Sequence, residues 1–374
     1  MKLTCEKLKW EKVEFSSLYA ESSRNGLNRP RKIRGSGFKM INMKEIFKYD
    51  IIRNPTMELV PMNEVEKEKY SIIEKDLMFA RQSLVAEGAG KCSIVLEVPE
   101  ITTFESHLIR IRLDQVITEP LFYYYYFSSP SGKANIQSLV MQVAAAGIRG
   151  SELAKLNVPY PARPIQTRIA SILLAYDDLI ENNNRRIKVL EKMAQAIYKE
   201  WFLKFRFPGH EDVEMVDSEL GEVPKGWKIA RLGEIFEIHK GKSYKSSELS
   251  DKEGIAFANL KCINRGGGFK TSGLKRYLGK YNENQEVSNG DIIVAVTDMT
   301  QKREIVGRPA RVPKTKENKM VISLDLVRIK PKYEFYNTYI YGLMKYSKFG
   351  DEIKQFANGV NVLHLKPTVI EDYI

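Results

Sequence analysis

The chain has 374 residues, 43% of them apolar and 28% charged, which is enough for two ordinary domains with cores of their own and excludes a disordered chain. No run of about 18 uninterrupted apolar residues occurs, so no membrane-spanning helix is expected, and the start Met1-Lys-Leu-Thr-Cys-Glu-Lys7 lacks the apolar core of a signal peptide, so the expected location is the cytoplasm. A net charge of +12, basic in both halves, points towards a nucleic-acid partner without proving one.

From the N-terminus, the first segment of interest is Arg24-Asn-Gly-Leu-Asn-Arg-Pro-Arg-Lys-Ile-Arg34. It gathers Arg24, Arg29, Arg31, Lys32 and Arg34 with the amides of Asn25 and Asn28, ahead of the strand-like Gly37-Phe-Lys-Met-Ile. Lys and Arg neutralise phosphates, while Asn, Gln, Ser, Thr and Asp match base edges, so a loop holding both sets is a candidate DNA contact. An ordinary solvated loop is the plainer reading. The apolar run Asp76-Leu-Met-Phe-Ala80 leads into a second candidate, Arg81, Gln82 and Ser83, and Leu108-Ile-Arg-Ile-Arg112 reads as another strand. Pro120–Phe127 holds four successive tyrosines, better suited to packing than to base stacking because each ring can bury its body and wet its hydroxyl.

A different pattern begins near Pro164. Ile165, Ile169, Ile172, Tyr176, Leu179, Asn183, Ile187, Leu190, Ala194, Ile197 and Trp201 recur at a mean step of 3.6 residues, the mark of one amphipathic helix of coiled-coil type. From Ile165 to Leu203 it would span roughly 58 Å at ~1.5 Å per residue, as a spacer. Ile165, Ile169, Ile172, Tyr176, Leu179, Ile187, Leu190, Ile197 and Trp201 are its expected packing face. Pro208-Gly209 ends it, and His210–Leu220, with five acids and no Lys or Arg, reads as a solvated connector spanning 207–220.

Beyond the connector the chain repeats itself. A shift of 217 positions places Trp10 on Trp227, Gly37 on Gly254, Asn42 on Asn259 and Lys44 on Lys261. With small loop adjustments Asp76–Ala80 answers Asp291–Ala295, Leu108–Arg112 answers Leu326–Lys330, and Gln142–Gly147 answers Gln355–Gly359. Five matches in one order imply two copies of one α+β domain. The second copy repeats the candidate loops as well: Lys240, Lys242, Ser243, Tyr244 and Lys245 answer the first basic loop, and Thr297, Asp298, Lys302 and Arg303 answer Arg81–Ser83. The glycine-rich Asn264–Lys270 suits either a close approach to a backbone or a flexible hairpin tip.

Catalytic motifs are missing. No Pro-Pro occurs, as the base-flipping loop of an adenine methyltransferase would require. Glu87-Gly-Ala-Gly90 is a lone Gly-x-Gly, Gly241-Lys-Ser243 has Phe236 where a phosphate-cradling loop needs its first glycine, and no Pro-Asp precedes an acid-x-Lys triplet. Cys5, Cys92 and Cys262 stand singly and read as buried thiols rather than metal ligands. No metal, no cofactor and no enzyme activity are expected of this chain alone.

Three segments carry a resemblance: Pro164-Ile-Gln-Thr-Arg-Ile-Ala-Ser-Ile-Leu173, Asp177-Asp-Leu-Ile-Glu-Asn-Asn-Asn-Arg-Arg-Ile187 and Leu190-Glu-Lys-Met-Ala-Gln-Ala-Ile-Tyr-Lys-Glu-Trp-Phe202. They resemble the central conserved region of type I restriction-modification specificity subunits, and Gly221-Glu-Val-Pro-Lys-Gly-Trp227 resembles the start of that family's second target-recognition domain. The resemblance implies target-recognition domains at 1–163 and 221–374, a spacer helix at 164–206, and a non-catalytic reader of a bipartite double-stranded DNA site. It also implies two methyltransferase subunits using S-adenosylmethionine, and restriction subunits using ATP and Mg. The sequence departs from the family in one respect: Glu371-Asp-Tyr-Ile374 aligns near Tyr160, and no second conserved helix follows. A shortened chain and a helix supplied in trans are both open, the latter with self-association through the spacer helix. The rival reading is a basic two-domain adaptor that binds proteins.

Overall fold

The structure, a computed structural model, describes residues 10–83, 88–140, 146–315 and 319–374. Cys5, Glu87 and the part of Gln142–Gly147 before Ala146 lie outside the described residues. The chain forms two compact units, Met1–Asn183 and Asn184–Ile374.

In the first unit the main sheet runs in the order Tyr19–Asn25, Leu108–Leu113, Leu77–Ala80, Cys92–Glu97, Ile51–Arg53. Leu77–Ala80 is a continuous apolar run because both of its faces are buried. Its neighbour Leu108–Leu113 carries two arginines that need partners at such depth. Arg110, 2% exposed, donates to Glu21 at 2.7 Å and to the Ser71 carbonyl at 2.8 Å, and Arg112 grips Asp76 through bonds of 2.8 and 2.7 Å. The tyrosine helix, Pro120–Ser128, buries Phe122, Tyr123, Tyr124 and Phe127, with Phe15 and Phe79 edge-on to Phe127 at 5.1 and 5.2 Å. Packing is therefore its role. A smaller sheet places Phe38–Ile41 between Glu58–Val60, antiparallel, and Thr102–Phe104, parallel.

The second unit repeats this plan. Its sheet Phe236–Lys240, Leu326–Pro331, Ile292–Ala295, Pro309–Arg311 follows the order of the first four strands above, and Ile255–Ala258 pairs parallel with Lys319–Ile322 as Phe38–Ile41 does with Thr102–Phe104. Arg328 pairs with Asp291 at 3.0 Å. Cys92 and Cys262 are buried and free. The acidic connector is not bare chain: Met215–Ser218 forms a hairpin with Gly221–Pro224, while all five acids stay in water.

The long helix runs Arg163–Tyr198 and continues in a wider turn, Lys199–Leu203. The boundary between units falls inside it, and its two ends dock separately. Within the first unit Ile169, Ala170 and Leu174 pack on the core, and the fully buried Gln166 accepts from the Glu119 amide at 2.9 Å and donates to the Pro161 carbonyl at 2.8 Å. Asp177 takes the Tyr125 hydroxyl at 2.7 Å, and Arg53 reaches Asp178 at 2.5 Å. Within the second unit, Tyr198 lies against Gly342, where a side chain would crowd its ring, and the Phe202 ring sits 4.9 Å from Tyr339.

Apart from Ile169, the docking residues are not those of the expected packing face. Ile165, Ile172, Tyr176, Leu179, Ile187, Leu190, Ile197 and Trp201 remain 38–64% exposed, and only Ile169 of that set is half-buried. Leu173, Ile180, Val189 and Met193 widen the exposed stripe. Replacing Gln166 with leucine should strand the Glu119 amide without a partner and destabilise the first unit by about 2 kcal/mol, within the range for a buried unsatisfied group. An unchanged denaturant midpoint would mean the helix is anchored elsewhere.

Candidate nucleic-acid interface

In each unit one tight turn between a strand of the small sheet and the second strand of the large sheet collects both candidate loops. In the first unit the turn is Glu105-Ser106-His107. The Leu27 amide donates to the Phe104 carbonyl at 2.8 Å, Ser106 donates back to Leu27 at 3.0 Å, Arg81 donates to His107 at 2.8 Å, and Ile148 donates to Arg81 at 2.9 Å. In the second unit the turn is Ser323-Leu324-Asp325. Lys242 donates to Ile322 at 2.7 Å, Leu324 to Lys242 at 2.8 Å, Val296 to Asp325 at 2.9 Å, and Leu365 to Val296 at 2.8 Å. These are the same four bonds at equivalent positions. The approach is so close that only glycine fits beside it: a Cβ at Gly26 would stand 2.1 Å from the Phe104 carbonyl oxygen, and one at Gly241 2.0 Å from that of Ser323.

Around the first turn, Asn25, Asn28, Arg31, Lys32 and Gln82 are exposed. Arg31 and Lys32 ride on a short helical turn, Arg31–Ile33. Arg29 and Arg34 are tied down: Arg29 holds Glu66 at 2.5 Å and the Pro61 carbonyl at 3.1 Å, and Arg34 holds Glu58 at 2.5 Å, Asn42 at 2.9 Å and the Arg29 carbonyl at 2.8 Å. They stiffen the loop. Arg24 is half-buried on its strand, over the Tyr70 ring. Ser83 pairs with Ala146 and Gln82 with Gly147 in a short ladder. The exposed His107, which the sequence reading missed, sets its Nδ1 3.2 Å from the Gln82 amide oxygen. A lone polar residue in a turn carries no signal until the pairing is known.

Around the second turn, Lys240, Ser243, Lys245 and Lys302 are exposed, with Lys242 half-buried. Tyr244 is a packing residue, its ring edge-on to Phe257 at 4.8 Å. Thr297 and Asp298, expected among the DNA contacts, are instead buried and fully engaged within the fold. Thr297 donates to Asp325 at 2.9 Å. Asp298 accepts from the Ile305 amide at 2.8 Å, the Thr300 amide at 2.9 Å, the Thr300 hydroxyl at 3.0 Å and the Val306 amide at 3.3 Å. Burial raises its carboxyl, but these donors outweigh burial and hold it below the ordinary carboxylate range. Asp298 shapes the loop that carries Lys302 and Arg303, and Arg303 is itself spent on Gln355.

The glycine-rich hairpin is braced rather than loose. Lys345 donates to the Gly266 carbonyl at 2.9 Å, and Ile263 pairs with Phe269. Beside it opens a cleft of about 690 Å³ lined by Lys261, Asn264, Arg265, Lys270 and Ser272. Its three cations are exposed, and among the described residues only Arg265 has an acidic partner, Glu304 at 3.2 Å. This donor set suits phosphodiester oxygens.

A family model described as "Type I restriction modification DNA specificity domain" matches twice, at residues 42–192 and 224–373. The MjaIX type I restriction enzyme specificity subunit of Methanocaldococcus jannaschii is 31% identical over 191 residues, 49% of this chain and 44% of that protein. The putative MjaX specificity subunit of the same organism is 29% identical over 255 residues, 66% of this chain and 58% of that protein. The chain thus spans about half the length of these curated relatives. The crystal structure of a type I restriction-modification S subunit from M. genitalium shares the fold, with a TM-score of 0.61 at 15% identity over 100% of this chain and 85% of that one.

Replacing Lys261, Arg265 and Lys270 together with alanine should weaken binding to every duplex alike. The slope of log affinity against log salt should become shallower by about two to three, at ~0.9 per lost phosphate contact. A salt titration with an unchanged slope would place the cleft away from the duplex.

Proposed function

We propose, from the premise that this chain belongs to the type I restriction-modification DNA specificity family, that each unit reads one half of a split double-stranded DNA site and that the chain supplies recognition without catalysis. The observation that carries the reading is the duplicated turn: in both units the same four backbone bonds bring together two loops that between them carry exposed basic and amide side chains. Methyl transfer and cleavage then belong to partner subunits, a methyltransferase with S-adenosylmethionine and a motor-nuclease with ATP and Mg.

The long helix is the docking element for such partners. Eight large side chains of its stripe stay about half in water, and covering them is worth on the order of 10 kcal/mol. A second helix, from another copy of this chain or from a methyltransferase subunit, fits that stripe. An adaptor that binds only proteins would instead leave the basic loops idle.

Two experiments test this reading. Exchanging residues 221–374 for the equivalent domain of another family member should change one half of the recognised sequence and spare the other; a change in both halves overturns the one-unit, one-half reading. Replacing Ile172, Leu179, Ile187 and Leu190 with polar residues should abolish association, followed by light scattering, while both units keep their unfolding transitions. A wild-type chain that stays monomeric at tens of micromolar and binds no methyltransferase subunit overturns the docking role.

A further inference from the structure

The 355–366 stretch, which the sequence marked only as part of the repeat, forms a rigid platform with the loop after Thr297–Asp298. Thr297–Asp298 pairs with Leu363–His364, and Asn358 and His364 exchange backbone bonds of 3.0 and 2.8 Å, closing a tight loop between them. Gly359 sits at φ 150, and a Cβ there would meet the Val362 carbonyl oxygen at 1.9 Å. From the other side the Gln301 amide donates to the Val360 carbonyl at 2.8 Å and the Gly359 carbonyl at 3.3 Å. The two loops hold each other.

What this platform presents is unusual for a solvated loop. Val360 is 90% exposed and Met299 66%, and Asn361 and His364 are exposed beside them. Neither 299–303 nor 355–366 contains a carboxylate, while Lys302 and Lys366 are exposed. Apolar side chains held out on a stiff, acid-free support, next to an amide, match the edges of base pairs: an apolar group meets a thymine methyl, and an asparagine amide pairs with adenine. The charge disfavours a basic surface and favours a polyanion. The platform also continues the turn that gathers the basic loops, and the first unit builds its counterpart from Gln82–Ser83 and Ala146–Gly147.

Resting on the reading that this chain recognises DNA, we propose that Val360 and Asn361, held outward by the Gln301 clamp, contact base edges and set the second unit's preference within its half-site. The phosphate cleft at Lys261, Arg265 and Lys270 gives affinity; this platform gives sequence.

The test selects preferred duplexes from a random pool with the full-length wild-type chain and with the Val360→Ala and Asn361→Ala variants. Both positions are exposed, and thermal unfolding checks that the variants stay folded. Wild type is expected to yield a two-part consensus. Each variant should lose preference at one or two positions of a single half, bind the wild-type site roughly ten- to hundredfold more weakly, and keep the wild-type salt slope. Variants that retain the full consensus leave the exposed side chains to a protein partner and overturn the proposal. Weakening that is uniform across sequences with a shallower salt slope overturns it too, since that is the signature of a phosphate contact. A wild-type chain with no preferred sequence overturns the DNA reading and this proposal together.

Discussion

In each unit the basic loops hang on four backbone hydrogen bonds around one turn. They join the end of the small sheet's parallel pair to the second strand of the large sheet, and the two loops are anchored on them. Backbone bonds make no demand on side chains beyond a glycine at the point of closest approach, Gly26 or Gly241. The anchor therefore stays the same while the loops change freely. The two units show this within one chain: Asn25, Asn28, Arg31 and Lys32 stand in one where Lys240, Ser243 and Lys245 stand in the other, on identical supports.

The support beneath the turn is costly and well compensated. The second strands of the two large sheets carry arginines inward, and each is answered: Arg110 by Glu21, Arg112 by Asp76, Arg328 by Asp291. A lone charge at that depth would destabilise its unit, so these pairs hold the strand beside the turn in one register. Asp298 works in the same way one step further out, spending its carboxylate on three backbone amides and a hydroxyl so that the following loop keeps its shape. This network fixes the loop that carries Lys302 and Arg303.

The helix illustrates a different constraint. One amphipathic stripe was visible in the sequence, yet the helix uses two adjacent faces. Gln166, Ala170 and Leu174 dock into the first unit and Tyr198 and Phe202 into the second, while Ile172, Leu179, Ile187 and Leu190 stay in water. The docking face mixes polar, small and large residues because it meets surfaces already formed, whereas the exposed stripe is large and apolar. Periodicity reports the second kind of face and is nearly blind to the first.

The sequence by itself determined the duplication, the α+β character of both copies, the long helix and the position of the basic loops. All of these rest on local patterns: apolar runs, a 3.6-residue period, and charge gathered within ten or so residues. Only the tertiary structure decided which of those loop residues face solvent. Arg29, Arg34, Tyr244, Thr297 and Asp298 have the right chemistry for DNA, but ion pairs, ring packing and hydrogen bonds to residues as far away in sequence as Glu66 and Asp325 use them up. The same long-range pairing brought in His107 and the Asn358–His364 loop, which no local pattern marks. A side chain's availability depends on what the fold sets beside it, and those neighbours are chosen by strand pairing between residues tens of positions apart.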